Sequence, residues 1–252
     1  MKTLTTVLTL SFLGACTPKD VTNEDDLNQD TGNAGSTQSG VVWQDVRHGT
    51  SKTFLNGYAD GAGLYVVTTE GETWEYHNDT WTNIPVDVDE EDLNGIWGSG
   101  TGAGLKMVAV GNNGTILEWS IAEGTWEVTQ DGTANFASVD GPLSSVNDLI
   151  AVGGAGAWSN ASGTWTAQTS AGYKFSDVWY DGTTAVAVGD DGLIATYTTG
   201  GEWAFDDSAT DVNLYGVSGT NSSDIWAVGQ ERTVIHWNGT TWQEIEMETQ
   251  VN

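Results

Sequence analysis

The sequence predicts an all-β protein assembled from repeated four-stranded units. Three observations carry this. The 252 residues include 13 Trp and 33 Gly but only three Pro, which suits many short strands joined by tight turns. Nowhere does an apolar pattern at helical spacing persist beyond a turn or two. A tryptophan motif also recurs: DTWTNI, GTWEVT, GTWTAQ, GEWAFD and TTWQEI place Trp81, Trp126, Trp165, Trp203 and Trp242 at separations of 45, 39, 38 and 39 residues. Four short strands every ~40 residues is the signature of a β-propeller blade, a unit that needs stacked neighbours to cover its faces.

Within each unit four β-type runs follow in order. Strand a reads Leu or Phe, two residues, then Val, Ile or Tyr, as in Leu55/Tyr58, Leu93/Ile96, Phe136/Val139, Phe175/Val178 and Leu214/Val217. Strand b is a small apolar run ending at Gly111, Gly153, Gly189 or Gly229, with YVVT, ending at Thr68, the most divergent copy. Strand c carries Tyr76, Trp119, Trp158, Tyr197 or Trp237, and strand d carries the motif tryptophan. Trp43, 38 residues before Trp81, looks like a sixth d strand with no a, b or c strand before it. Five complete sets predict five blades over residues 41–252. Either the Trp43 strand lies outside the blades as a fifth strand on one of them, or the ring closes in another way, and a six- or seven-bladed ring is the alternative to five.

Residues 1–40 do not follow the repeat. Lys2 supplies a short positive start, and Leu4 to Ala15 form a mostly apolar run that is shorter than the ~20 residues a membrane span needs. The stretch Leu13-Gly14-Ala15-Cys16 resembles a bacterial lipobox, and Cys16 is the only cysteine in the chain. The resemblance implies a signal peptide at 1–15, cleavage before Cys16, a diacylglycerol thioether on its sulfur and acylation of its new amino terminus. Two or more acyl chains anchor far more firmly than one. Residues 16–40 then form an acidic tether too poor in apolar residues to offset its ordering entropy. Thr17, rather than Asp, after the cysteine resembles an outer-membrane sorting signal. The expected location is the bacterial cell envelope, as an outer-membrane lipoprotein facing the periplasm or the cell surface.

Composition excludes several classes of function. Seven basic residues against 35 acidic give a net charge of −28, which repels phosphate backbones and excludes nucleic acid as a partner. With no cysteine after Cys16, the folded part has neither disulfide nor thiolate chemistry. His48, His77 and His236 are isolated and fit no zinc-ligand spacing, so no metal centre is expected.

The c–d hairpins WSIAEGTW, WSNASGTW, YTTGGEW and WNGTTW resemble those of BNR/Asp-box and photosystem-II-assembly-factor-like propeller repeats. The resemblance covers about residues 41–252, and no copy contains the full Asp-box, Ser-x-Asp-x-Gly-x-Thr-Trp. Sialidase chemistry in that family would require an arginine triad, and the chain has only Arg47 and Arg232. Glycoside hydrolysis by paired carboxylates is not excluded by residue count, but no pair stands out by context.

Two sets of residues emerge as candidate binding sites. In a four-stranded meander the b–c and d–a loops share one face of the disc. That face gathers Asp87, Asp89, Glu90, Glu91, Asp92, Asp190, Asp191, Asp206 and Asp207, where calcium or a basic partner could bind. Trp97, Trp179 and Trp226 depart from the repeat, whereas most other tryptophans recur at one blade position and are expected to be packing residues. The leading expectation is a non-enzymatic binding or scaffold module for a protein, glycan or basic ligand, without a cofactor. The alternatives are an assembly factor for an envelope complex and a carbohydrate-active enzyme. A deep central pocket with two facing carboxylates and exposed aromatics would favour the enzyme, and a plugged channel the binding module.

Overall fold

The computed structural model describes residues 49–246, apart from 89, 90, 131, 146, 170 and 171. The signal peptide, Cys16, the tether and the Trp43 strand lie outside the described residues. Five antiparallel four-stranded meanders follow one another. Blade 1 contains β1 (Phe54–Ala59), β2 (Gly63–Thr68), β3 (Thr73–His77) and β4 (Thr80–Ile84). Blade 2 contains β5 (Leu93–Ser99), β6 (Lys106–Gly111), β7 (Ile116–Ser120) and β8 (Thr125–Gln130). Blade 3 contains β9 (Phe136–Asp140), β10 (Ile150–Gly153), β11 (Gly156–Ser159) and β12 (Thr166–Ala167). Blade 4 contains β13 (Phe175–Tyr180), β14 (Thr184–Gly189), β15 (Ile194–Thr198) and β16 (Ala204–Phe205). Blade 5 contains β17 (Leu214–Asn221), β18 (Asp224–Gly229), β19 (Val234–Trp237) and β20 (Trp242–Glu244). The first strands pack in chain order, β1 on β5, β5 on β9, β9 on β13 and β13 on β17. The chain is a five-bladed β-propeller, with a, b, c and d strands in the predicted sequence. The d strands of blades 3 and 4 are only two residues long and begin just after Trp165 and Trp203.

The b strands read as continuous apolar runs because both of their faces are covered. In β6, Met107 and Ala109 pack toward blade 1, while Val108 and Val110 pack toward blade 3. In β14, Ala185 and Ala187 face blade 3, while Val186 and Val188 face blade 5. Strand β18 repeats half of this pattern: Ile225 and Ala227 face blade 4. Trp226 and Val228, on the other face, are 42% and 49% exposed. The equivalent Val108, Val110, Val186 and Val188 are at most 2% exposed. Hydrophobic clusters fill the four seams from blade 1 to blade 5, and no fifth cluster joins blade 5 to blade 1 among the described residues.

Polar caps cross three of the same four seams. The b–c turn is a short 3₁₀ turn whose second residue is left-handed in blades 1, 2, 4 and 5: Glu70, Asn113, Asp191 and Glu231, with φ between 52° and 59°. In blades 1, 2 and 4 its backbone N–H is capped from the next blade. Glu70 N donates to Asp92 Oδ1 at 3.0 Å, Asn113 N to Asn135 Oδ1 at 2.9 Å and Asp191 N to Asn213 Oδ1 at 2.9 Å. The third turn residue is Gly71, Gly114 or Gly192, each with positive φ. A Cβ on Gly192 would sit 2.1 Å from Thr210 O, in the segment that crosses toward blade 5. In blade 5 this position is Arg232 (φ 67°), and no described segment crosses it.

Motif tryptophans close the outer edge of the blades. Trp119 and Trp126 are direct cross-strand partners with ring centroids 5.4 Å apart, edge to face. Trp126 is 6% exposed, and its Nε1 is enclosed without a protein acceptor. Its contribution is therefore apolar area and aromatic contact. Trp126→Ala should destabilise the fold by about 3–5 kcal/mol, read by denaturant unfolding.

Candidate functional site: the central cavity

All five a strands present their inner positions to a central cavity of ≈ 510 Å³. Counting from the leading Leu or Phe, positions two and four further on face the following blade. In blade 1 these are Gly57 and Ala59, in blade 2 Gly95 and Trp97, in blade 3 Ser138 and Asp140, in blade 4 Asp177 and Trp179, and in blade 5 Gly216 and Ser218. Small residues dominate because inner strands converge here. Gly216, for example, has the Asp177 carboxylate 3.9 Å from where its Cβ would be. The large or charged exceptions therefore define the cavity's chemistry.

The three tryptophans that depart from the repeat all line this cavity. Their environments differ. Trp97 is 5% exposed, and its Nε1 donates to Gly141 O in blade 3 at 2.8 Å. It is chiefly a seam residue. Trp179 is half-buried and lies against Gly219 of blade 5, where a Cβ would come within 2.9 Å of the indole. Trp226 is exposed and stacks on His236 at a centroid distance of 4.0 Å. Asp224 fixes both rings, accepting from Trp226 Nε1 at 3.1 Å and meeting His236 Nε2 at 2.8 Å. Hydrogen bonds from Thr220 and then His236 hold the Asp224 carboxyl below the usual carboxylate range.

Sequence reasoning missed Asp140 and Asp177 as site residues. The available signal was a carboxylate where other blades carry Gly, Ala or Ser. Each stitches one blade to the next. Tyr180 N donates to Asp140 Oδ2 at 2.7 Å, and Val217 N to Asp177 Oδ2 at 2.9 Å. Ser138 Oγ also donates to Asp177 Oδ1 at 2.7 Å. Both side chains lie deep in the protein, and what exposure they keep is toward the cavity. Burial raises the Asp140 pKa to about 7; hydrogen bonds from Tyr180 N and Gly141 N oppose this, and the Asp177 charge adds to it. Burial likewise raises that of Asp177. Among the described residues no Lys, Arg or His lines the cavity, and none of them gives the two carboxylates a cationic partner there.

The acidic loop face is built differently. Asp89 and Glu90 lie outside the described residues, and Asp87, Asp191 and Asp207 are exposed. Asp92 is the blade 1–blade 2 cap described above, Glu91 accepts from Asn113 Nδ2, and Asp206 accepts from Thr196 Oγ1. Asp190 N donates to Lys174 O at 3.1 Å. Among the described residues these carboxylates are not gathered into one cation site. Among the described residues no three His, Cys, Asp or Glu side chains gather closely enough to hold a metal ion. No described helix is long and apolar enough to cross a membrane.

Among the described residues no fifth cluster closes the cavity on the side between blades 5 and 1. Its wall there consists of Asn56 to Tyr58 from blade 1 and Trp226 and Val228 from blade 5. Solved propellers share the arrangement of blades. YCF48 bound to D1 peptide matches with a TM-score of 0.56 and 15% identity, over 73% of this chain and 65% of that one. U3-55K matches with a TM-score of 0.61 and 11% identity, over 73% of this chain and 62% of that one. The likeness is one of fold. The matched region is less than two-thirds of either neighbour's length. No protein-family model matches the chain, and no curated protein matches it in sequence.

The shift of Asp140 predicts a pH dependence of stability. The unfolded carboxyl releases its proton near 3.8, whereas the folded one holds it to about 7. Folded protein therefore binds the extra proton between these values, and this stabilisation is lost as pH rises from about 4 to 7. The loss is on the order of 2–4 kcal/mol. Wild-type protein should melt higher at pH 5 than at pH 8. Asp140→Asn, which keeps an acceptor for Tyr180 N, should narrow that difference in thermal melts. An unchanged difference would place the effect elsewhere in the acidic surface.

Proposed function

We propose that this protein is a lipid-anchored module of the bacterial envelope that binds a protein partner through its propeller without catalysing a reaction. The observation that carries this reading is the open central cavity, walled by the three indoles that break an otherwise regular repeat. Apolar pockets with a few convergent polar groups are the usual form of a binding site. One propeller of similar fold was solved bound to a peptide. In the lipoprotein reading, Cys16 tethers the domain to the membrane, and residues 17–40 let it reach a partner. A role in assembling an envelope complex is the finer form of the same proposal.

A carbohydrate-active enzyme is the second reading, and by the criterion set from the sequence the central pocket favours it, since it is open and holds two carboxylates beside aromatic side chains. Asp140 and Asp177 are two carboxylates in one aromatic cavity, the pairing that glycoside hydrolysis uses. It ranks second because hydrolysis needs one carboxyl protonated and its partner ionised. Here burial pushes both in the same direction, and both are engaged by backbone N–H groups of the following blade. Turnover of chromogenic glycosides that disappears in Asp140→Asn would reverse the order of the two readings.

Two experiments test the binding role. Cys16→Ser should abolish labelling by a fatty-acid probe and release the domain from membranes. Affinity capture from envelope extracts of the native host should enrich a partner with wild-type protein and lose it with Trp226→Ala at unchanged melting temperature. Equal recovery with both proteins would move the site away from the cavity.

A further inference from the structure

We infer that the open seam between blades 5 and 1, together with the central cavity behind it, forms a binding site for a basic peptide segment. Its arginine or lysine is set against Asp177 and Asp140, and its apolar neighbours cover Trp226 and Val228. This deepens the binding role proposed above and rests on it.

Three features combine in one place. The first is an apolar face that no described blade covers. In blades 2 and 4 the residues at the Trp226 and Val228 positions are buried by the following blade, whereas here both are exposed. Exposed apolar surface of this kind, rimmed by polar groups, marks an interaction surface. The second is a pair of carboxyl groups without a counter-ion. Asp140 and Asp177 sit deep in the protein, where burial favours their protonated form, and among the described residues no Lys, Arg or His lines the cavity; a cation entering it would take the place of the proton. Burying a carboxylate without a counter-ion is costly, and hydrogen bonds from neutral groups offset only part of that cost. An incoming cation would restore the balance. The third is the indole of Trp179, two residues after Asp177 on the same face of β13, with Trp226 across the cavity wall. A guanidinium or ammonium group is attracted both to a carboxylate and to an indole face.

Together these features select the ligand. An anionic or phosphorylated segment is repelled by the two carboxylates and by the net charge of −28. A neutral apolar segment would cover Trp226 and Val228 but leave the charges unpaired. A peptide with one basic residue flanked by apolar ones satisfies both parts of the site.

The test uses the full chain in detergent and the probe Ac-Gly-Val-Arg-Val-Gly-amide. Its controls are the citrulline analogue, which has the same shape without the charge, and the Lys and acetyl-Lys versions. Binding is measured by calorimetry and tryptophan fluorescence. The Arg or Lys peptide should bind at least tenfold tighter than its uncharged analogue. Asp177→Asn keeps an acceptor for Val217 N and should remove most of that preference. Trp226→Ala, at an exposed position, should weaken both charged and uncharged peptides about fivefold or more. Equal affinity for arginine and citrulline peptides overturns the proposal. So does a charge preference that survives Asp177→Asn, because the acidic surface as a whole is then responsible. If wild-type protein fails to bind but Arg47→Gln binds the probe, the chain's own residues 41–48 are the occupant and the proposal of an external partner falls. Peptide binding with no partner recovered from envelope extracts would leave this site standing while removing the broader role.

Discussion

Each blade of this protein is apolar on both sides, and that constraint governs the rest of the structure. A sheet with Val108 and Val110 on one face and Met107 and Ala109 on the other has no solvent-facing side. It is stable only between two neighbours. The repeat supplies them four times, and four clusters result. At β18 no described blade covers the outer face, and Trp226 and Val228 are exposed there. The exposed indole and the proposed site follow from this stacking rule, met at four seams among the described residues and not at a fifth.

The polar chemistry at the axis follows from the same geometry. Inner strands converge, so most inner positions hold glycine, alanine or serine. Two carboxylates among them have little room for a cationic partner and bond to backbone N–H groups of the following blade instead. They tie the ring together, and burial raises both pKa values, so a cation in the cavity would favour their ionised form. Structural and recognition roles need not be separate here. A group that is costly to bury alone becomes less costly when a ligand brings the missing charge.

Much of the fold was legible because it is repeated. The Trp81, Trp126, Trp165, Trp203 and Trp242 spacing gave the blade length, and the VAVG runs identified the strand with two buried faces. The site was only half legible. Trp97, Trp179 and Trp226 stood out as departures from the repeat, and the structure sets all three around one cavity. Their exposure, from 5% for Trp97 to 42% for Trp226, depends on whether a following blade covers them, which spacing does not encode. Asp140 and Asp177 were hidden by the abundance of acidic residues. Their significance comes from burial and from the small residues at equivalent positions, not from residue type. The acidic loops gave the opposite lesson: close in sequence or on one face, they divide into caps, hydrogen-bond acceptors and solvated charges.

Arg232 has a consequence for how such a chain can grow. Glycine occupies the third position of the b–c turn in blades 1, 2 and 4, and a side chain at Gly192 would collide with the strand leaving for the next blade. Arg232 holds a left-handed conformation that costs a non-glycine residue about 1–2 kcal/mol. Among the described residues no strand crosses this turn. A forty-residue unit joined after blade 5 in the manner of the earlier blades would bring a strand past this position, where blades 1, 2 and 4 carry glycine. A unit inserted after blade 4 would pass Gly192, where a Cβ would sit 2.1 Å from Thr210 O and glycine leaves the space clear. The two junctions thus differ, by one residue, in the room they leave for a new blade.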